Sequence, residues 1–149
     1  MCNGLIQSGK GSCVKKKLPL SSLEKKLDKV FSIFIRRRYA DEGGTVSCVT
    51  CHRLMFWKEC HAGHFIKRQH RSTRWRPTNV HPQCPGCNTY RGGVQDEYAR
   101  FIVHTYGLAE FNDLMEAKHQ VVKFTRTDLE EMITKYQAAN AAFDLPKAA

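Results

Sequence analysis

The 149 residues carry 24 lysines and arginines against 14 acids, a formal charge of +10 with a pI near 9.4. That length suits one domain with a modest core rather than two, and the charge suits a polyanionic partner, nucleic acid before an anionic membrane surface. No apolar run of about 18 residues suggests a membrane span. The opening MCNGLIQSGKGSCVKKK lacks the apolar core of a signal peptide. Seven cysteines, four of them in two close C-x-x-C pairs, speak for metal binding in a reducing compartment rather than a disulfide scaffold, so the cytoplasm is the expected location.

Residues 1–19, with Gly4, Gly9, Gly11 and Lys15–Lys17 ahead of Pro19, read as a flexible basic arm in which Cys2 and Cys13 are free thiols. One domain is expected over 20–142, its chemistry concentrated in 45–95 and its C-terminal helices in 94–142, with a frayed tail at 143–149. Ser21-Ser22-Leu23-Glu24 fits a capping box, which predicts a helix start. Leu23, Leu27, Val30, Phe31, Phe34 and Ile35 follow as one apolar stripe. Arg36, Arg37 and Arg38 close this helix, either as a solvated end that suits the helix dipole or as a phosphate contact.

Asp41-Glu42-Gly43-Gly44 breaks the helix. Thr45–Val49 and Leu54–Trp57 have strand composition and flank Cys48-x-x-Cys51, the pattern of a zinc-knuckle hairpin. Cys60 to Pro82, punctuated by Gly63, Pro77 and Pro82, cannot be one long helix. Helices are expected from Val94 to Tyr106, stopped by Gly107, and from Leu108 to about Lys118. A last helix is expected from a second capping box, Thr127-Asp128-Leu129-Glu130. Trp57 reads as core. Trp75, between two arginines, is either core or a platform for an exposed base.

Cys48-x-x-Cys51 and Cys84-x-x-Cys87 are the pairs a structural Zn²⁺ takes, because each tight turn presents two thiolates to one ion. Cys60 has no partner and reads as a packed apolar residue. His64 and Asn79 lie in the long insert between the pairs. From Cys60 to Gln95 there is no carboxylate, while Lys67, Arg68, Arg71, Arg74, Arg76 and Arg91 all fall there, a local field suited to DNA phosphates. A multi-carboxylate two-metal site is therefore disfavoured. Hydrolysis with one metal and a neutral histidine as base fits better.

The ordered set Cys48-x-x-Cys51, Gly63-His64-Phe65, Asn79 and Cys84-x-x-Cys87-Asn88 resembles the zinc-containing HNH (ββα-metal) endonucleases. It is most similar to the phage NinG/Rap recombination endonucleases and, more distantly, to the endonuclease VII group of junction resolvases. The resemblance covers roughly residues 22–137. It implies an α+β fold with a ββα-metal core and a four-cysteine zinc site, flanked by one N-terminal and two or three C-terminal helices. It also implies that His64 is the general base, that Asn79 holds the metal-binding loop, and that Asn88 is a ligand of the catalytic metal on the helix carrying the second cysteine pair. One position departs from the pattern. Where an Asp or His ligand ordinarily precedes the base, this chain has Gly63. Relatives of this subgroup tend to carry an Asp three residues before the base, where this chain has His61, which shares the parity of position 63 in a strand; the resemblance thus implies His61 as the second protein ligand, with His81 as the alternative. An imidazole there shifts metal preference from Mg²⁺ toward Mn²⁺, Zn²⁺ or Ni²⁺.

The expected function is a structure-directed DNA endonuclease that uses structural Zn²⁺ and catalytic Mg²⁺ or Mn²⁺ to cut branched recombination intermediates such as Holliday junctions or D-loops. A homodimer is a further expectation, formed through the Leu23–Ile35 helix or the helices after Asn88. The alternatives are an HNH nicking enzyme on ordinary duplex DNA and a zinc-dependent DNA-binding module without catalysis.

Overall fold

Four apolar residues at helical spacing decide where the first helix packs. In the computed structural model, which describes residues 17–144, α1 spans Leu20–Arg37 and buries Leu23, Leu27, Phe31 and Ile35. The sequence outside these bounds, including Cys2 and Cys13 of the expected arm, lies outside the described residues. The stripe on α1 meets Leu129, Ile133 and Tyr136 of α4 (Arg126–Ala142), and Trp75 and Val80 complete the cluster. Each fully buried aliphatic side chain contributes about 1.5–3 kcal/mol by leaving water, so the α1–α4 pair is a principal source of stability. It also covers the apolar face of α1 within the chain itself.

Two short antiparallel ladders follow α1. β1 (Thr45–Ser47) pairs with β2 (Leu54–Phe56), Thr45 opposite Phe56, and the first C-x-x-C forms the connection. β3 (His61–His64) pairs with β4 (Val80–Gln83), His61 opposite Gln83 and Gly63 opposite His81. A 3-10 turn at Pro77–Asn79 leads into β4, and a π-helical turn at Gly86–Tyr90 comes after it. α2 (Gln95–Tyr106) and α3 (Leu108–Ala117) are separated by Gly107, whose φ of 88° is costly for any residue with a Cβ. The architecture is α+β, with two two-stranded sheets and four α-helices among the described residues. No helix among them is long and apolar enough to cross a membrane.

Strand alternation divides the β3–β4 ladder between two environments. Ala62 and Val80 pack toward the α1–α4 cluster. Gly63 and His81 face Tyr98 of α2, which with Ile102, Phe65, Ile66 and Leu114 forms a second cluster. Cys48, Cys84 and Cys87, flanked by Met55 and Val94, form a third.

His81 is fully buried on this second side. The Tyr98 hydroxyl donates to the Gly63 carbonyl at 2.7 Å, so it accepts from His81 Nδ1–H at 3.1 Å, and Nε2 then accepts from the Tyr106 hydroxyl at 2.8 Å. Both ring nitrogens are committed, which removes His81 as a metal ligand. Burial, aided by the nearby Arg38 guanidinium, pulls its pKa from 6.5 to about 3. Below pH 6.5 the unfolded chain takes up this proton and the folded one does not. The stabilisation is therefore complete above pH 6.5 and is lost as pH falls toward 3, with a limiting slope of about 1.4 kcal/mol per pH unit. Guanidinium denaturation between pH 7 and 4 should show that slope in the difference between wild type and His81→Gln. Parallel stability curves would remove the assignment.

Both capping-box starts differ from the sequence expectation. α1 begins one residue before Ser21, with Pro19 at the N-cap and no side-chain cap, because the Glu24 carboxylate is turned to Arg71 rather than back to the helix end. The capping box of α4 is real but lies two residues earlier. Thr125 accepts from the Asp128 amide, and Asp128 accepts from the Thr125 amide at 2.7 Å. Trp75 is 5 % exposed and donates its indole N–H to Asp28 at 3.0 Å, so it is core and not a base platform. Trp57, expected in the core, is only half-buried and lies instead under the cationic ends of Arg36, Arg37 and Lys58.

Candidate functional site

The two knuckles meet through the strands that carry them. The Val49 amide donates to the Pro82 carbonyl at 3.0 Å, which sets the turn after β1 against the end of β4. Cys48, Cys51, Cys84 and Cys87 then place their sulfurs within 4.8 Å of one another. Cys51 and Cys84 lie 3.8 Å apart, the edge of a tetrahedron whose Zn–S bonds are about 2.3 Å. Burial opposes a Cys48 thiolate, but the Thr50 hydroxyl at 3.3 Å and backbone groups of Cys84, Thr50 and Cys51 outweigh it and bring the pKa to about 6. The donor set, all sulfur and without a carboxylate, suits a structural zinc ion. Cys60 stands apart, buried and bonded to the Trp57 carbonyl at 3.2 Å, its pKa pushed up to about 11 chiefly by burial.

Beside this centre runs a groove of about 960 Å³ between α1, β3 and the turn after Cys87. His61, His64 and Asn88 all line it. Cys87 and Asn88 ride on the π-helical turn Gly86–Tyr90, while Cys84 precedes that turn rather than sharing it. Asn88 Nδ2 lies 3.1 Å from His61 Nδ1, so an amide and an imidazole from different elements meet at one point. His64 Nε2 is 3.0 Å from the Arg74 carbonyl. That carbonyl can only accept, so Nε2 carries the proton and Nδ1 keeps its lone pair. Burial lowers the His64 pKa below 6.5, and the Arg74 carbonyl only partly opposes this. The ring is neutral near pH 7.

Asn79 does not line the groove. It is fully buried, accepts from the Ile66 amide at 2.7 Å and donates to the Ile66 and Thr73 carbonyls, each at 3.0 Å. It therefore pins both ends of the loop that presents the Arg74 carbonyl to His64.

The expected cationic field is altered by tertiary contacts. Asp28 of α1 accepts from Arg68, Arg74 and the Trp75 indole, Glu24 pairs with Arg71, and Glu110 and Asp113 of α3 hold Arg76. A window without carboxylates of its own is supplied with them by two helices. Four hydrogen bonds occupy the Asp28 oxygens, about the full lone-pair capacity of a carboxylate, so this one groove acid has nothing left for a metal. Lys67 and Arg91 make no ion pair among the described residues. Of the six cations expected to hold DNA, Lys67, Arg68 and Arg74 line the groove, joined by Arg36; Arg71, Arg76 and Arg91 do not.

A family model described as Bacteriophage Lambda NinG protein matches residues 9–144. A search of curated proteins found no match, and a search of solved structures found none.

Proposed function

The chain belongs to the bacteriophage lambda NinG family, and from that premise we propose that it is a metal-dependent DNA endonuclease with a ββα-metal core, directed at branched recombination intermediates. The observation that carries this reading is the convergence of His61, His64 and Asn88 on one cation-lined groove directly beside a four-thiol cluster. In this reading the β3–β4 ladder and the turn Gly86–Tyr90 would serve as the two strands and the helical element of the core.

His61 and Asn88 would hold a divalent cation, Mg²⁺ or Mn²⁺, which when bound stabilises negative charge on the phosphate and on the leaving oxygen. His64 Nδ1 takes a proton from the attacking water, and the imidazolium that forms is stabilised by the Arg74 carbonyl at Nε2. Asn79 acts at a distance, by fixing the loop behind that carbonyl. Lys67 and Arg36, both lining the groove, attract the phosphodiester backbone. Such contacts position DNA without reading its sequence, which suits selection by shape.

The test is cleavage of a labelled four-way junction and a linear duplex of matched sequence by the zinc-loaded full chain with Mg²⁺ or Mn²⁺. Junction cutting well ahead of duplex cutting is expected. Equal rates on both would replace the substrate assignment by general nicking. Junction binding with no cutting under any divalent metal would leave a zinc-dependent binding module.

A further inference from the structure

Two buried side-chain oxygens among the described residues lack a hydrogen-bond partner, Asn140 Oδ1 and Gln83 Oε1, and the amide of the second is held by Gly93 of the groove lining. Gln83 is 0 % exposed, and its Nε2 donates to the Gly93 carbonyl at 2.8 Å and to Thr50 Oγ1 at 3.3 Å, while Oε1 has no hydrogen-bond partner. Turning the amide over would set Oε1 against the Gly93 carbonyl, acceptor against acceptor, so the orientation is fixed. Thr50 is anchored in turn by Cys48 at 3.3 Å. Leaving an amide oxygen buried and unpaired carries a desolvation penalty, which a cation would remove.

The free oxygen points to Gly63. A Cβ built on Gly63 would fall 2.8 Å from Gln83 Cδ and collide with Oε1 itself. A side-chain carboxylate oxygen sits ~2.4 Å from its own Cβ, from standard C–C and C=O bond lengths. Gln83 Oε1 therefore stands in the shell where an oxygen ligand carried by residue 63 would stand, and Gly63 has no side chain so that it can. Gln83 is also directly opposite His61 in the β3–β4 ladder, and paired residues of antiparallel strands project to the same face. His61 meets Asn88 at 3.1 Å, and Gly93, which holds the Gln83 amide, lines the groove with both.

Building on the nuclease reading above, we propose that the Gln83 side-chain oxygen is a third protein ligand, with His61 and Asn88, for the divalent cation of the groove. The set is one imidazole and two carboxamides, all neutral. It favours cations that accept nitrogen as well as oxygen, Mn²⁺ ahead of Mg²⁺. Without a carboxylate, the balancing negative charge comes from the phosphodiester, so cation affinity rises when DNA is present.

The experiment is Mn²⁺ binding to the zinc-loaded full chain, read from the free-ion electron paramagnetic resonance signal with and without a non-cleaved phosphorothioate junction. Wild type is compared with His61→Ala, Asn88→Ala and Gln83→Leu, and zinc content is measured for each. A loss of at least about tenfold in Mn²⁺ affinity for Gln83→Leu, matching the other two, is the expected result. If His61→Ala and Asn88→Ala weaken binding and Gln83→Leu does not, Gln83 is no ligand while the cation site and the nuclease reading stand. Wild type that binds no Mn²⁺ even with DNA would overturn the ligand set and the nuclease reading together. Should Gln83→Leu lose its zinc, the wild type decides. On titration with diamagnetic Mg²⁺, the side-chain carbonyl ¹³C resonances of Gln83 and Asn88 should both move, and movement of Asn88 alone overturns the assignment.

Discussion

Replacing His64 by alanine is expected to lower the cleavage rate by about 10²–10⁴ while DNA affinity and zinc content stay at wild-type levels. The size follows from the role. A positioned base removes a proton in the transition state only, so its loss appears in kcat rather than in binding, equivalent to roughly 3–5.5 kcal/mol of barrier. Binding is spared because the groove keeps Lys67, Arg68, Arg74 and Arg36. The pH profile adds a second constraint. Burial disfavours the imidazolium of His64 more than the Arg74 carbonyl restores it, so the folded pKa lies below 6.5. The base is then unprotonated at and above that value, and the acid limb of kcat/KM should fall below pH 6.5. His64→Ala that cuts at the wild-type rate would dismiss the base assignment. A wild-type acid limb lying above pH 6.5 would show that another group controls the rate. His64→Asn, which retains a donor for the Arg74 carbonyl, separates loss of the base from loss of the loop contact.

What could be read from the chain, and what could not, divides along the range of the interactions involved. The apolar stripe on α1, the helix stop at Gly107 and the two cysteine pairs are local patterns, and the fold places each as its spacing suggests. The Ser21–Glu24 box failed for a reason no local pattern contains, because Arg71 is brought against Glu24 by tertiary packing. The same blindness made the stretch after Cys60 look like uncompensated positive charge, when Asp28, Glu24, Glu110 and Asp113 arrive from α1 and α3. Trp75 between two arginines stayed open between core and base platform for the same reason, and folding decides it: Asp28 accepts its N–H and the α1–α4 cluster covers its ring. His61 was singled out by its place three residues before His64 and by strand parity, and the fold sets it in the groove, 3.1 Å from Asn88. Gln83 was missed. Its signal was a lone amide in a strand that is buried along its whole length, opposite a candidate ligand.

Removal of zinc should dismantle the groove and leave much of the helical framework standing. Structural Zn²⁺ contributes apparent free energies of about 10–16 kcal/mol in small zinc-finger peptides, comparable to the entire 5–15 kcal/mol stability of an ordinary domain. The effect need not spread evenly here. Cys48, Cys84 and Cys87 form their own cluster with Met55 and Val94, separate from the residues that join α1 to α4. Losing the ion frees the β1–β2 connection and the turn carrying Cys87 and Asn88, and with it the meeting of Asn88 and His61. It also releases Thr50, which holds the Gln83 amide. The α1–α4 cluster, including the buried Trp75, keeps its packing. Chelation, or Cys48→Ser, should therefore abolish cleavage and speed hydrogen exchange across 45–57 and 84–91, while exchange in α1 and α4 remains slow. Trp57, beside the β1–β2 hairpin and under Arg36 and Arg37, should report the change in fluorescence before Trp75 does. One zinc per chain by native mass spectrometry is the accompanying stoichiometry. If the zinc-free protein retains full protection in both knuckle segments, the ion does not organise the site. If α1 and α4 lose protection at the same rate as the knuckles, the domain is a single cooperative unit and the separation of clusters has no energetic meaning.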